Sequence, residues 1–404
     1  MHTPQFVRTP LTWLCYLLLG YFALLQTSLN VLIPFLREEM GLTYSVSSLH
    51  LTLFAAGAMS MGLVGERVVR AWGRRATLWR GALGMTVAAL VILLSRQVAV
   101  SLPLAALMGM GGSLLMLVIQ SSLSDSYGPQ RGIALAEANT AASLAGVIAP
   151  MWIGVGVSRG WGWRWPVIVA LLALLPIAVR FSHVPVPNAL RRTDAARDAD
   201  TPLPASFWAY AVVLFLIVAL EWGVVVWAAT YLQVRGGLTA AAAAQWVTVY
   251  FAGMIVGRFA GSRLARRLDS TRLLVGSLVV TLVGFPLFWL SPVAAWRVLG
   301  LFITGLGIAN QYPSTMANAS EAAGESVERG IARLGLIGGS GILVLPFVLG
   351  WLGDRLGLQT ALGVIGVLLL LSLAMIGQAE RLKRRPPPAS TLATSACPAP
   401  PLGR

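Results

Sequence analysis

The chain has 404 residues, of which 57% are hydrophobic and only 11% are charged, and its formal net charge is +15. Soluble domains carry about 25% charged residues, so a chain this apolar cannot cover a water-facing surface and must face lipid over most of its exterior. The basic residues fall in short clusters between long apolar runs, which excludes a hydrophilic domain that could present them to nucleic acid.

Twelve apolar runs follow one another along the chain, each close to the roughly 20 residues that a membrane-spanning helix needs. They lie near 12–35, 44–65, 76–95, 99–122, 132–157, 164–181, 207–232, 240–262, 272–291, 294–317, 330–351 and 359–379. The sequence therefore predicts an all-α membrane protein with twelve transmembrane helices. The predicted divisions are a six-helix bundle over 1–181, a cytoplasmic linker over 182–206, a second bundle over 207–380, and a Pro-rich, disordered cytoplasmic tail over 381–404.

The distribution of Arg and Lys predicts the orientation of these helices, because cytoplasmic loops are enriched in basic residues. With the N-terminus inside, seven basic residues fall in outside segments and the other 23 of 30 fall inside. The seven are Arg37, Arg96, Arg159, Arg164, Arg235, Arg297 and Arg355. We therefore expect a multi-pass protein of a bacterial cytoplasmic membrane, monomeric, with both termini in the cytoplasm.

The second half of the chain repeats features of the first half. Residues 131–134 and 329–332 both read RGIA, at an offset of 329 − 131 = 198. Two further matches have an offset of 196: GMG at 109–111 with GLG at 305–307, and Pro150 and Gly154 with Pro346 and Gly350. A Gly before an Arg-rich inside turn also recurs, at 62–75 and 257–269. Each pair falls on the same ordinal helix, which predicts two six-helix halves related by a pseudo-twofold axis along the membrane normal.

The turn after the second helix carries a motif of glycine, acid and arginine. Its residues are Gly62, Glu66, Arg67, Gly73, Arg74 and Arg75. It resembles the Gly-x-x-x-Asp-Arg-x-Gly-Arg-Arg motif of the major facilitator superfamily, from which it departs by Glu66 in place of Asp and by four extra residues before Gly73. The resemblance extends over residues 10–380 and implies a transporter whose cytoplasmic gate joins Glu66 to the start of helix eleven, near Arg329 and Arg333. A carboxylate gains about 0.3–1 kcal/mol at a helix N-terminus.

Two other helices indicate the branch of that superfamily. Helix five carries Ala149-Pro150 where drug/proton antiporters usually carry Gly-Pro, and the run 101–120 lacks the Arg that their helix four usually carries. Residues 305–319 are instead similar to helix ten of sugar/proton symporters of the fucose permease group. The resemblance therefore favours uptake of a small organic solute over drug efflux.

Glu221 is the sharpest functional candidate, because it lies in the middle of the seventh apolar run with no other charge near it in sequence. Ionisable residues inside a membrane are costly, by roughly 2.5–3.5 kcal/mol on insertion scales, and usually have a function. We expect Glu221 to bind the coupling proton, the alternative being a carboxylate tied to a neighbouring helix by a hydrogen bond. Glu137, near the start of helix five, is a second coupling candidate, although its shallow position also fits an ion pair at the gate.

Amide and aromatic side chains recur on the first, fourth, seventh and tenth helices, which line the central cavity in this superfamily. They are Gln26, Asn30, Gln120, Trp222, Trp227, Tyr231, Asn310, Gln311 and Tyr312. A polar solute needs amides for its hydroxyl groups and an aromatic face for a ring. Amides also join helices, at about 0.6 kcal/mol each, so for any single residue a structural role is the simpler interpretation. Their joint pattern predicts a substrate cavity.

These observations predict a secondary active transporter of a small organic solute, coupled to protons and working by alternating access in the lipid bilayer. The sequence contains no nucleotide-binding loop, no His/Cys/Asp metal cluster and no nucleophile beside a base, so we expect neither an enzyme nor a cofactor. Two alternatives stay open: a proton-antiport exporter of drugs or metabolites, and a membrane scaffold or sensor that keeps the fold without transporting.

Overall fold

Long helices joined by short turns make up the described chain, which comprises residues 6–188 and 203–384 of a computed structural model. In chain order they are α1 (Pro10–Met40), α2 (Tyr44–Trp72), α3 (Arg74–Leu94), α4 (Val98–Tyr127), α5 (Arg131–Ser158), α6 (Arg164–Leu172 and Leu174–Phe181), α7 (Ala205–Gly236), α8 (Ala240–Leu264), α9 (Ser270–Leu290), α10 (Ala294–Ile308 and Gln311–Ala323), α11 (Val327–Leu356) and α12 (Leu358–Lys383). Within these residues the predicted all-α fold of twelve helices is confirmed.

Eleven of the described helices are long and apolar enough to cross a membrane, and α10 is the exception because it is broken. The break falls at Ala309 and Asn310, between the two segments of the helix. Pro313 has no N–H group to donate to the carbonyl of Ala309 four residues earlier, so one helical hydrogen bond is lost there. The sequence therefore also explains why this helix is divided at mid-depth.

The segment that joins the two sets of six helices is described only in part. The first six helices end at Phe181 and the next six begin at Ala205. Residues 189–202 of the predicted linker and residues 385–404 of the predicted tail lie outside the described residues. Helix α12 continues to Lys383, past the predicted start of the tail, and the Lys383 ammonium group lies 3.2 Å from the Glu321 carboxylate of α10.

The turns between the first two helices of each half are built alike. The tripeptide GLT forms both, and 237 − 41 = 196. Gly41 and Gly237 end α1 and α7 with left-handed φ angles of 62° and 65°, a conformation that glycine adopts without a steric cost. Thr43 and Thr239 then cap α2 and α8, each accepting a backbone N–H of the first turn on its hydroxyl.

A close helix crossing inside each half also repeats at this offset. A Cβ atom on Gly57 of α2 would lie 2.0 Å from a backbone oxygen of α4, and one on Gly253 of α8 would lie 2.2 Å from a backbone oxygen of α10. The facing helices carry Gly109 and Gly305, where a Cβ atom would lie 1.9 Å and 2.2 Å from the opposite backbone. Since 253 − 57 and 305 − 109 both equal 196, the two halves use equivalent glycines for equivalent contacts.

The RGIA tetrapeptides do not mark equivalent positions, although they lie on the expected helices. Helix α5 begins at Arg131 and α11 begins at Val327, an offset of 196, so Arg329 lies two residues further into its helix than Arg131. Two residues rotate a side chain by about 200° around a helix axis. The duplication is therefore carried by the glycine and proline matches, and the identical tetrapeptide is out of register with it.

Candidate functional site

The two halves contact each other through α2 with α11 and α5 with α8. We call the end of the molecule where α1 begins and α12 ends the terminal face, and the opposite end the distal face. Towards the distal face small residues let the halves touch: a Cβ atom on Gly154 would lie 2.2 Å from the side chain of Gln245, and one on Gly350 would lie 2.8 Å from the backbone oxygen of Tyr44. The two contacts are equivalent under exchange of the halves.

Polar bonds close the same end of the interface. The Asp354 carboxylate of α11 accepts the backbone N–H groups of Tyr44 at 2.7 Å and Ser45 at 2.8 Å, at the N-terminus of α2, and it also accepts the Ser45 hydroxyl. Nearby, the Gln233 amide of α7 donates to the Glu38 carboxylate of α1. The distal face is therefore held shut by direct hydrogen bonds between the halves.

Towards the terminal face the interface opens. Gly62 of α2, Gly132 of α5 and Gly335 of α11 lie on the terminal side of the helices that join the halves, and a Cβ atom on any of them would meet nothing within 4 Å. This contrasts with the crowded glycines at the distal end of the same helix pairs. The halves are therefore separated on the terminal side.

Two adjoining spaces between the halves, of about 200 Å³ and 710 Å³, form what we call the central cavity. They share the side chains of Asn139, Glu221, Met254 and Arg258. The smaller space is also lined by α1, and the larger one continues along the second half to Ser262 and Ser270, at the terminal ends of α8 and α9. The volume of the larger space is in the usual range for small-molecule sites, about 300–1,000 Å³.

Glu221 lies at the middle of α7 and lines both spaces of the central cavity, where it is partly buried. Within the described chain its carboxylate makes no hydrogen bond and no ion pair, so the alternative of a carboxylate tied to a neighbouring helix finds no such bond here. Arg258 of α8 is its electrostatic partner without being in ion-pair contact. The phenol groups of Tyr250 and Tyr312 also interact electrostatically with the Glu221 carboxylate.

Arg258 is a charged residue of the cavity wall that the sequence interpretation did not single out. It lies inside the predicted run 240–262 but was counted with the Arg-rich turn of 257–269. Helix α8 continues to Leu264, which places Arg258 inside the helix and in the wall of the cavity. Its Nη1 atom donates to the Ser143 hydroxyl of α5 at 3.0 Å, which is a bond between the halves.

A spacing in the sequence could have located this arginine. Gly253, Gly257 and Gly261 recur every four residues and therefore lie on one face of a helix. The structure packs that face on α10, where a Cβ atom on Gly257 would lie 2.3 Å from a backbone oxygen. Because Arg258 directly follows Gly257, the stripe places the arginine beside the packed face of the helix rather than in the turn that follows it.

Glu137 lies at the terminal face, near the start of α5, and is held by two partners. The Arg8 guanidinium donates to it through Nη2 at 2.5 Å and Nε at 2.8 Å, and the Tyr16 hydroxyl donates at 2.9 Å. Through this hydrogen bond and its charge, Glu137 raises the pKa of Arg8 above the ordinary value. All three residues belong to the first half, and none of them lines the central cavity. A coupling role for Glu137 stays a prediction.

Two of the nine predicted cavity residues line the central cavity, and both belong to the second segment of α10 or to its break. Asn310 donates its amide to the backbone oxygen of Gly257 at 2.8 Å, and Tyr312 is 45% exposed. Gln26 lines a separate space of about 490 Å³ between α1, α2, α4 and α11.

The other six lie elsewhere in the described structure. Four are buried in the helix packing: Asn30, Trp227, Tyr231 and Gln311. The Trp227 indole donates to the backbone oxygen of Pro346 at 3.1 Å, the Tyr231 hydroxyl donates to that of Trp289 at 2.5 Å, and the Gln311 amide donates to the Thr281 hydroxyl at 2.8 Å. Trp222 is partly buried against the core, and Gln120 is exposed. Their assignment to substrate binding stays a prediction.

The predicted gate residues are dispersed in this open arrangement. Glu66 and Arg67 are exposed, Gly62 lines the 490 Å³ space, and Gly73 joins α2 to α3 with a φ of 76°. The Arg333 guanidinium lies over the Trp208 ring at 5.5 Å, and the side chain of Arg329 is outside the described atoms.

Arg74 and Arg75 instead anchor the start of the linker. The buried Arg74 guanidinium lies 2.6 Å from the Asp125 carboxylate and donates to the backbone oxygen of Pro187 at 3.2 Å. The Arg75 guanidinium donates to the backbone oxygen of Ser182 at 2.5 Å. A gate contact through Glu66 therefore stays a prediction for the closed state.

Comparisons with known proteins place this arrangement in a family. The sequence profile of the Major Facilitator Superfamily matches residues 13–328 and 237–400. An uncharacterised MFS-type transporter of Yersinia pestis is 22% identical over 84% of this chain and 88% of its own length. The cyanate transport protein of Escherichia coli is 27% identical over 72% of this chain and 75% of its own length. A bacterial homologue of the human lysosomal transporter Spinster, solved inward-facing and unoccupied, matches 95% of this chain and 100% of its own with a TM-score of 0.72 at 14% identity, which indicates a shared fold.

Proposed function

The chain belongs to the major facilitator superfamily and is a transporter of a small solute, and from that premise we propose that protons drive it as a secondary active transporter. The observation that carries the proposal is the Glu221 carboxylate, which faces the cavity between the halves and bonds to none of the described side chains. Transporters of this kind bind their solute near the bilayer midplane, between two halves that rock against each other.

The arrangement of the halves supports alternating access. The hydrogen bonds that Asp354 accepts and the one that Gln233 donates close the distal face, whereas the central cavity extends to the terminal face. The excess of basic residues in the terminal-side segments supports a cytoplasmic position for that face. In this orientation the structure is the inward-open state, and rocking of the halves would expose Glu221 to the opposite side.

A carboxylate in this position can couple a proton to solute movement. Its ionised form is costly in a membrane interior unless it is paired or hydrated, so closing the cavity around it favours the protonated form. Glu221 would therefore bind its proton when the cavity is hydrated and carry it across when the halves close. Whether the solute moves with the proton or against it depends on which of the two loads first, and a flux measurement distinguishes the two.

We expect Glu221→Gln to abolish proton-driven accumulation while the protein stays folded. The glutamine keeps the size and polarity of the side chain but cannot exchange a proton. A solute is first identified by the thermal stabilisation it gives purified protein, from a panel of sugars, amino acids, organic acids and lipophilic cations. Accumulation of that solute is then measured in proteoliposomes with and without an imposed pH gradient. Exchange of labelled for unlabelled solute, which needs no net proton movement, should persist in the variant.

Glu321→Gln is the matched control, because Glu321 is a carboxylate at the terminal face whose side chain is 72% exposed. This control should accumulate solute like the unaltered protein. Accumulation with inward-directed protons indicates symport, and release under the same gradient indicates the exporter. Undiminished gradient-driven flux in Glu221→Gln would show that this residue does not carry the proton. A scaffold or sensor predicts no flux in any variant.

A further inference from the structure

Arg258 brings a cation into the central cavity that the helix packing does not neutralise. Its single hydrogen bond within the described residues goes to a neutral group, the Ser143 hydroxyl at 3.0 Å, and it forms no ion pair with them. A guanidinium group has five N–H donors in a planar fork, so most of its donors are available to the cavity. Cations inside a membrane are rare and usually paired, which makes an unpaired one a candidate for ligand binding.

Arg297 of α10 shows what a purely structural arginine looks like in the same half. Its side chain is buried, with the residue only 3% exposed, and it donates to the backbone oxygens of Phe288 and Trp289 at 3.3 Å each. It also lies over the Tyr231 ring at 5.2 Å. Arg258 is exposed to the cavity and has no such set of acceptors in the described part of the chain.

The net charge of the cavity wall depends on whether Glu221 is protonated. Among the side chains that line its two spaces, Glu221 and Arg258 are the charged ones. With Glu221 ionised the wall is neutral overall, and with Glu221 protonated it carries one positive charge. A single negative charge on the solute would restore neutrality in the protonated state. A cation would meet an uncompensated arginine in that state, and a dianion would leave an excess negative charge.

We propose that the transported solute is a small organic monoanion, and that Arg258 binds its carboxylate when Glu221 is protonated. This inference rests on the proposed proton-coupled function and specifies its substrate class. A guanidinium group can donate two parallel hydrogen bonds to a carboxylate, a geometry that a hydroxyl cannot match. Because Arg258 belongs to the second half and its partner Ser143 to the first, the carboxylate would be bound where the halves meet.

The rest of the wall suits a short tail that is apolar or aromatic. Beside Arg258, the smaller space is lined by Phe251, Met254 and Ile255, and the amide of Asn139 supplies a further polar contact. Apolar walls with a few placed polar groups are typical of small-molecule sites. A monocarboxylate with a few carbon atoms or one ring therefore fits the chemistry of the wall.

Competition between Glu221 and the solute for Arg258 supplies the coupling. The titratable or charged groups facing Glu221 are Arg258 and Tyr250 of α8 and Tyr312 of α10, and the two phenols carry no charge near neutral pH. The residues that α1 and α5 contribute to the cavity wall are neutral. Protonation of Glu221 removes the one anion that competes for Arg258, so proton and carboxylate should bind cooperatively, each raising the affinity for the other.

The test measures binding of acetate, butyrate, benzoate and 3-phenylpropionate to the purified full-length protein, by thermal stabilisation and by titration. Benzyl alcohol and benzylamine serve as the neutral and cationic counterparts of benzoate. At least one carboxylate should stabilise the unaltered protein, more strongly at about pH 5.5 than at about pH 8, by about tenfold in affinity. The anion is the main species of all four acids at both pH values and is slightly less abundant at the lower one, so tighter binding at the lower pH reports on the protein. In Glu221→Gln the same carboxylate should bind with an affinity that no longer depends on pH.

Arg258→Gln should lose this binding by about tenfold or more, and Arg258→Lys should lose less of it. Arg263→Gln is the matched control, because Arg263 lies on the same helix over the Phe259 ring and should leave binding unchanged. The inference is overturned if none of the four carboxylates binds, if benzyl alcohol binds as well as benzoate, or if Arg258→Gln binds like the unaltered protein. A sugar that shows Glu221-dependent, proton-driven flux would leave the coupling proposal intact and refute the anion.

Discussion

At the residue scale, three carboxylates of this chain differ in the groups that they bond to. The Glu137 carboxylate accepts hydrogen bonds from Arg8 and from the Tyr16 hydroxyl, and so joins the N-terminal segment to α5. Asp354 accepts backbone N–H groups of the other half and so belongs to the distal closure. Glu221 faces the cavity and has no bonded partner among the residues that the structure describes. The partners of each carboxylate, rather than its residue type, determine which one is available to exchange a proton.

Asp354→Ala should favour opening of the distal face. An acidic cap at a helix N-terminus contributes about 1 kcal/mol, and because this cap lies on the opposite half, its loss falls on the closed state rather than on folding. The ratio of distally closed to distally open protein should drop by about fivefold. We would measure it as faster labelling of Ala142→Cys in the cavity wall by an impermeant thiol reagent added from the distal side, with Cys15 and Cys397 replaced.

Asp269→Ala is the matched control, because Asp269 caps α9 by accepting the Arg272 backbone N–H at 2.7 Å within a single half. Its loss should leave the labelling rate unchanged. Equal labelling rates in all three proteins would remove Asp354 from the closure.

At the element scale, glycines decide how closely the helices approach. The α2–α4 and α8–α10 crossings bring backbone against backbone at equivalent glycines, and this close approach is typical of membrane helices, which gain stability by packing small residues. The break in α10 also has a local cause. Pro313 removes one helical hydrogen bond, and the Asn310 side chain at the break donates to the α8 backbone. Packing and break together place Tyr312 and Arg258 in one cavity.

Gly253→Ala should destabilise the protein, because its Cβ atom would lie 2.2 Å from the Phe302 backbone oxygen and the helices would have to move apart. Overpacking of this kind costs about 1–3 kcal/mol, and we expect a lower midpoint of thermal unfolding in detergent. Gly57→Ala should behave alike at the equivalent crossing.

Gly276→Ala in α9 is the control for this change. A Cβ atom there meets nothing within 4 Å, so the substitution should be neutral or stabilise the helix by about 0.5–1 kcal/mol. Equal midpoints for Gly253→Ala and Gly276→Ala would contradict the role assigned to the crossing.

At the scale of the whole molecule, one interface forms both the closed distal face and the wall of the central cavity. The distal part of the α2–α11 and α5–α8 contacts is crowded and hydrogen-bonded, and the terminal part is open. Rocking of the halves would exchange these roles, with the central residues of α7 and α8 as the region exposed in turn. This requires that the distal contacts break in every transport cycle.

A reversible cross-link tests that requirement. With Cys15 and Cys397 replaced, Ser45→Cys combined with Asp354→Cys places two thiols where a side-chain hydrogen bond now joins the halves. Oxidation should stop net transport in proteoliposomes while solute still binds from the terminal side, and a reductant should restore transport. Ser45→Cys alone should be insensitive to oxidation. Net transport by the cross-linked protein would mean that the distal face does not need to open.

The amino-acid sequence was enough to predict the membrane class, the twelve helices, the duplication and the isolation of Glu221 along the chain. These follow from composition, run length and the repeated Gly and Pro positions, which are local properties of the chain. Only the tertiary structure decided that RGIA is out of register, that Trp227 and Gln311 are buried in packing, and that Arg258 of α8 shares a cavity with Glu221 of α7. The physical reason is that a helix side chain's surroundings depend on which neighbour covers its face. In a membrane both lipid and protein are apolar, so hydrophobicity alone does not reveal that choice.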